Sequence, residues 1–325
     1  MGTASTLELP YPRLVEGRFA SLDVFTDEEL FLSCGVRIAF TTRTGGVSMF
    51  PFDSFNLGDR VDDDPVCVEA NRYMLRNAFG ARDASFINPL QVHGDTVVSV
   101  IDGGSIDEAV SRAREGADSL VVCRDDVAAL LCFADCMPLI IVAPTGAFSV
   151  AHAGWRGVVN GIVSKSIAEL QQQTGCDPSS FNVYIGPYIH SCHFEVGDET
   201  RDAFSRLFGA SVCIPYPQSP SHRDHVDMGA AMRMTLSRSG IDSARVADVD
   251  LCTVCNQELF FSYRGSDGRC GRHGAFAVRL SPADGEASGR PDLPSSNGRA
   301  TRRISGAAAA FKDLKNPFRR FERKK

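Results

Sequence analysis

The sequence predicts a fold that mixes β-strands with α-helices, and three observations carry that expectation. Short apolar runs bounded by turn residues, such as Val127 to Phe133 and Leu139 to Val142, have the length and composition of buried strands. Elsewhere apolar residues recur at helical spacing, as Val159, Val163, Ile167 and Leu170 do before Gly175 closes the segment. The two kinds of segment are interleaved along the chain.

Taken in order, residues 1 to 35 hold a strand-like start and the acidic turn TDEEL, and are expected to form an N-terminal extension packed on the main domain. Val36 to Thr41 alternates as a strand and leads into Thr42-Arg43-Thr44-Gly45-Gly46, where the glycines permit a tight turn or close backbone approach. A helical pattern covers Val66 to Phe79, and Gln91 to Val100 reads as a strand carrying His93. Ile106 to Glu115 is a short helix or loop, followed by Ala117-Asp118-Ser119 and a strand in LVVC. Ala147 to Ala151 reads as a strand that passes through Gly154 into the Val159 helix. Asn182 to Ile185 is a strand ending in Gly186-Pro187, with helices at Asp198 to Phe208 and Asp227 to Ser239. The last strands, Arg245 to Asp248 and Ala275 to Leu280, flank Phe260-Phe261-Ser262-Tyr263-Arg264.

Composition narrows the function. With 325 residues, 43% of them hydrophobic, the chain has enough apolar material for one large core or two smaller ones. No apolar run reaches the roughly 20 residues of a membrane helix, and the N-terminus lacks the pattern of a secretory signal. Eleven cysteines, odd in number and irregularly spaced, do not suit a disulfide framework, so a reducing cytoplasm is expected. Residues 299 to 325 carry ten Lys or Arg against Asp313 and Glu322, which leaves −14 on the rest of a chain whose total is −6. A body that acidic does not suit nucleic-acid binding. Residues 282 to 325 are rich in Pro, Gly, Ser and charge and are expected to be a disordered basic tail. Its interleaved Phe311, Leu314, Phe318 and Phe321 would also suit contact with an anionic surface, without stable membrane insertion.

Cys136 in ADC and His152 in HAGWRG both fall where apolar strands break off, and His93 lies in QVHG. Two imidazoles and a thiolate form a suitable donor set for Zn²⁺, with the fourth tetrahedral position left open for catalysis. Separations of 43 and 16 residues make spacing alone weak evidence. Two other groups compete. His190-Ser191-Cys192-His193 is dense in ligands but follows Gly186-Pro187 in a loop, which favours a structural role over metal binding. Cys252 and Cys255 form a C-x-x-C, yet a structural zinc site needs a second pair, and Cys270 alone does not supply one.

FTTRTGGVS, SFNLG, QVHGDTVV, GADSLVV, ADCMPLIIVAP, VAHAGWRGVVNGIV, IGPYIHSCHFEVGDE and DLCTVCNQELFFSYR stand in the order seen in the multicopper polyphenol oxidase (laccase-domain) family, which this chain resembles from about Phe40 to Leu280. Members of that family are also described as zinc-dependent purine nucleoside phosphorylases, and some as peptidoglycan editing factors. The resemblance implies a single domain of the α/β class, of α+β type, with mixed β-sheets flanked by helices and spanning residues 36 to 281. It also implies a metal held by His93, Cys136 and His152. Gly265 stands where the family often has a second arginine, Cys270 where threonine is usual, and Asp62 where glycine is common.

The activity so implied is phosphorolysis of adenosine, inosine and methylthioadenosine, with adenosine deaminase activity besides. Zinc lowers the pKa of water enough to make a nucleophile for deamination. Phosphorolysis needs an anion site, for which Arg43 beside Gly45-Gly46, Arg156 at a helix start and Arg264 are candidates. Asp135, next to Cys136, is a candidate to orient a ligand or shuttle a proton. Purine nucleosides and phosphate are thus the expected partners. Copper at the same His-Cys-His set, oxidising polyphenols, is the alternative, because copper outcompetes zinc at most such sites. Seven histidines in total and no His-x-His pair exclude the full cluster of a conventional multicopper oxidase. A metal-free cysteine hydrolase, with Cys136 as nucleophile and a histidine as base, is a further alternative. So is a non-enzymatic part in cell-wall editing.

Overall fold

The computed structural model describes residues 8–216, 223–280 and Asp292. Two six-stranded sheets face one another, each backed by helices. The first contains β1 (Val15–Phe19), β2 (Leu22–Thr26), β3 (Val36–Thr41), β4 (Ser85–Ile87), β7 (Val127–Phe133) and β14 (His273–Arg279), in the order β1-β2-β3-β14-β7-β4. The second contains β5 (Val97–Val100), β6 (Ser119–Val122), β8 (Met137–Val142), β9 (Phe148–Ala153), β10 (Asn182–Ile185) and β13 (Val246–Asp248), in the order β13-β10-β8-β9-β6-β5. Both sheets are mixed: β7 runs antiparallel to β14 and parallel to β4, and β6 runs antiparallel to β9 and parallel to β5. β11 (Cys213–Ile214) and β12 (His225–Val226) form a small separate ribbon.

The uniformly apolar strands of the sequence are those buried on both faces. Along β7, Val127, Ala129, Leu131 and Phe133 point between the sheets. Ala128 and Leu130 point to the other side, against Leu75 and Phe79 at the end of helix α2 (Pro65–Ala78). In β8, Ile140 and Val142 join the central layer, while Leu139 and Ile141 pack with Val163, Ile167, Phe204 and Met232. These last four come from the helices α5 (Ile162–Thr174), α6 (Asp198–Phe208) and α7 (Met228–Arg238). The order is therefore helix, sheet, sheet, helices, and the chain crosses between sheets in the short turn from β7 to β8. Cys136 sits in that turn.

Three local expectations need correction. TDEEL is not a turn: Asp27 caps the helix α1 (Glu28–Cys34) by accepting the Leu30 N–H at 3.1 Å. The strand expected over Gln91 to Val100 is only β5, because the backbone before it is drawn into a loop by Asp118, described below. The helix after HAGWRG is broken into α4 (Trp155–Asn160) and α5 by Gly161, whose φ of 79° no helix interior accommodates. Ile106 to Glu115 resolves as helix α3, opened by the Ser105 cap. β1 and β2 extend the first sheet through β2–β3 pairing, so residues 15–26 are continuous with it. The tail expected over 282 to 325 lies outside the described residues apart from Asp292. Among the described residues, no helix is long and apolar enough to cross a membrane.

Candidate metal centre and active site

His93, Cys136 and His152 come together although 59 residues separate the first from the last, with their donor atoms all within 4.8 Å of one another. Each is delivered by a different device. His152 lies near the end of β9, paired across the sheet with Pro138 of β8, so it stands beside the turn that presents Cys136. His93 is in the loop before β5 and has φ of 59°, an unusual value for a non-glycine residue.

Asp118, at the start of β6, organises all of this. Its Oδ1 accepts from His152 Nδ1 at 2.7 Å and from the His93 amide at 3.0 Å. Its Oδ2 accepts the Gly94 and Val92 amides at 2.7 and 3.2 Å. One buried carboxylate thus bends the His93 loop and fixes the His152 tautomer, leaving Nε2 as the nitrogen available to a metal. Burial alone would raise the Asp118 carboxyl, but the hydrogen bond and charge of His152 and the two amides hold it below the usual range. Burial would likewise push the Cys136 thiol up, yet His152 and His93 bring it down to about 6. His152, which burial would lower, is raised to about 9 by the Cys136 thiolate and Asp118. A thiolate held between two imidazoles, one with an oriented outer partner, fits a transition metal such as Zn²⁺. Gly154 completes the fit. A Cβ there would lie 2.9 Å from His93 Cδ2 and 3.2 Å from Cys136 Sγ.

The three residues line a cavity of about 480 Å³. Its walls include Arg60, Gln91, Phe133, Asp135, Ile189, Phe194, Tyr263, Arg264 and Arg272. Asp135, with φ of 90°, is buried and already satisfied: Oδ1 accepts from Thr253 Oγ1 at 2.6 Å and Ser262 Oγ at 2.7 Å, and Oδ2 accepts the Arg264 amide at 2.7 Å. It therefore ties the segment Thr253 to Arg264 to the turn beside Cys136. The Arg264 guanidinium donates to the carbonyls of His193 and Glu195, both at 3.1 Å.

The structure does not bring the other two predicted arginines to the cavity wall. Arg43 donates to the Asp53 carbonyl at 2.9 Å and the Gln257 carbonyl at 3.0 Å, and its guanidinium lies over the Phe261 ring. It faces a separate cleft of about 280 Å³ with Asp53 and Gln257. Arg156 is exposed at the start of α4, stacked over the neighbouring Trp155 ring. Sequence reasoning gave no role to three residues. Asp118 had a visible signal, an acid immediately before an apolar strand. Arg272 follows Gly271 just before β14 and adjoins the FFSYR segment. Arg60 in LGDR carries no signal that separates it from a solvated arginine.

A mixed two-sheet fold here carries a His-Cys-His cluster, arranged as metal ligands are, on the wall of a cavity. Residues 37–280 match the family described as multi-copper polyphenol oxidoreductase laccase, and the chain belongs to that family. It is 33% identical over 267 residues to purine nucleoside phosphorylase YlmD of Geobacillus stearothermophilus, covering 79% of this chain and 97% of the relative. A purine nucleoside phosphorylase of Pseudomonas aeruginosa is 36% identical, over 74% of this chain and 91% of its own length. The crystal structure of the hypothetical protein YfiH from Bacillus licheniformis superposes with a TM-score of 0.72 at 28% identity, covering 81% of this chain and 99% of that one.

Proposed function

We propose that this chain is a purine nucleoside phosphorylase acting on adenosine, inosine and methylthioadenosine, with adenosine deamination as a second activity, at a Zn²⁺ site formed by His93, Cys136 and His152. The observation that carries this reading is the convergence of the three donors at a cavity of nucleoside size whose wall also bears Arg60, Arg264 and Arg272. The names of the curated relatives point the same way.

Bound Zn²⁺ supplies a Lewis acid and lowers the pKa of water. The chain's own residues do the rest. Asp118 holds His152 in one tautomer and bends the loop that carries His93. Ile189, Phe194 and Tyr263 offer an apolar wall to a planar base. Arg264 and Arg272, with Arg60 at the rim, are assigned to phosphate, since Arg43 and Arg156 lie outside the lining. Asp135 is assigned a positioning part, because both its oxygens are engaged in holding Thr253, Ser262 and Arg264. A cytoplasmic location fits eleven cysteines that are all free thiols.

The test is chromatography of adenosine incubated with the protein, with and without phosphate. Adenine and ribose 1-phosphate formed only with phosphate would support phosphorolysis, and inosine would support deamination. Unchanged adenosine would reject the reading, and oxygen-dependent phenol oxidation with bound copper would replace it. One observation favours a second reading: Cys136, His152 and Asp118 also have the thiolate–imidazolium–carboxylate order of a cysteine hydrolase. That reading leaves His93 without a part, and it predicts activity that survives removal of all metal by chelation.

A further inference from the structure

Outside the cavity wall, a second group of metal-binding side chains converges near the surface. Cys192, His193, Cys252 and Cys255 place their donor atoms within 4.8 Å of one another. Cys192 Sγ and Cys255 Sγ are 3.7 Å apart, and both are free thiols. His193 Nδ1 lies 3.2 Å from Cys192 Sγ, 3.5 Å from Cys255 Sγ and 3.8 Å from Cys252 Sγ. A tetrahedral ion with Zn–S of about 2.3 Å and Zn–N of about 2.0 Å needs S···S separations of about 3.8 Å and N···S separations of about 3.5 Å. The four spacings given lie within about 0.3 Å of those values, and the remaining Cys252 separations fall within 4.8 Å.

We propose that Cys192, His193, Cys252 and Cys255 form a second, structural Zn²⁺ site. Three thiolates and an imidazole are a soft donor set that selects zinc over magnesium or calcium. Four protein ligands leave no open position, which makes the site closed and structural rather than catalytic. The His190 amide donates to Cys252 Sγ at 3.5 Å, an outer-shell contact of the kind that supports a metal-bound thiolate.

The ion's work is to lock two loops together. Cys192 and His193 follow β10, while Cys252 and Cys255 follow β13, and the loops already meet through the Tyr188–Cys252 bridge. Thr253, between the two cysteines, reaches Asp135 in the cavity, and the carbonyls of His193 and Glu195 hold the Arg264 guanidinium. The second site thus secures the outer attachment of a cavity-wall arginine, and it stands whatever reaction the first site performs.

The experiment is zinc content by elemental analysis of the full chain, purified under reducing conditions, for wild type and two variants. Wild type is expected to hold two equivalents, and Cys192→Ser/Cys255→Ser to lose one. His93→Ala/Cys136→Ser is expected to keep the one that the first variant loses. If the first site binds no metal, wild type holds one equivalent and only the Cys192/Cys255 pair removes it, so the two readings fail separately. Cobalt exchange adds a spectroscopic check: tetrahedral thiolate Co²⁺ bands should survive in the His93/Cys136 variant and vanish in the other. A poorly folded serine variant is controlled by Cys255→His, which exchanges one donor for another and should retain the ion. Unchanged metal content in Cys192→Ser/Cys255→Ser, or a Cys192–Cys255 disulfide in freshly purified metal-free protein, would overturn the proposal.

Discussion

His152 Nδ1 stands 2.7 Å from Asp118 Oδ1, with both side chains buried, and the same carboxylate accepts three amides of the His93 loop. Two ligands of the candidate metal centre are thus held by one residue that ligates nothing. Asp118→Asn keeps the shape but removes the negative charge and half of the acceptors. Its zinc affinity is expected to fall 10- to 100-fold, the usual cost of losing an outer-shell carboxylate. Competition with a chromophoric chelator measures this, and an affinity within twofold of wild type would refute the assignment.

Gly154→Ala tests the packing around the ligands. The added methyl would sit 2.9 Å from His93 Cδ2 and 3.2 Å from Cys136 Sγ, so one of them must move. Metal affinity and turnover are expected to fall at least tenfold, with far-UV circular dichroism unchanged. Retained turnover would show that the ligands tolerate displacement.

Arginine substitutions separate the cavity wall from its surroundings. Arg264→Ala should raise the KM for phosphate about tenfold or more, with a smaller change in kcat. Arg156→Ala, altering an exposed side chain stacked on Trp155, should leave both parameters within about twofold. Steady-state kinetics at varied phosphate decides between them, and the reverse pattern would restore the helix-start arginine as the anion binder.

Acid should destabilise the fold through His273, a fully buried ring packed near Phe133 and Phe260. Burial, and then the charge of Arg272, pushes this imidazole from 6.5 down to about 3. The native state keeps it neutral where the unfolded chain would protonate it. Its contribution is therefore complete above pH 6.5 and is lost as pH falls from there towards 3, at up to ~1.4 kcal/mol per pH unit. Urea unfolding of wild type and His273→Leu between pH 7 and 4 should show a shallower pH slope in the variant. Parallel slopes would count against it.

Much of the fold was legible because its central strands are buried on both faces and its longer helices repeat apolar residues at helical spacing. Val36–Thr41, Val127–Phe133, Asn182–Ile185 and Asp198–Phe208 begin and end where apolar pattern and turn residues place them. The ten-residue strand read over Gln91 to Val100 shortened because Asp118, more than twenty residues away, captures three of that segment's amides. No local pattern reports such a contact. The ligand-rich Cys192–His193 segment reads as structural, and the C-x-x-C as lacking a second pair, for a related reason. Adjacent ligands lack the spacing of a zinc motif, and the contact from Tyr188 to Cys252 that brings the two segments together is long-range. Arg43 and Arg156 looked like anion binders beside glycines and a helix start. One lines a separate cleft with Asp53 and Gln257, and the other faces outward from its helix start.

The most direct test of the central claim, that His93, Cys136 and His152 grip one ion, is a zinc count in the Cys192→Ser/Cys255→Ser background. Adding His93→Ala, Cys136→Ser or His152→Ala should each take bound zinc from one equivalent per chain to a small fraction of one. One equivalent retained in all three would contradict it.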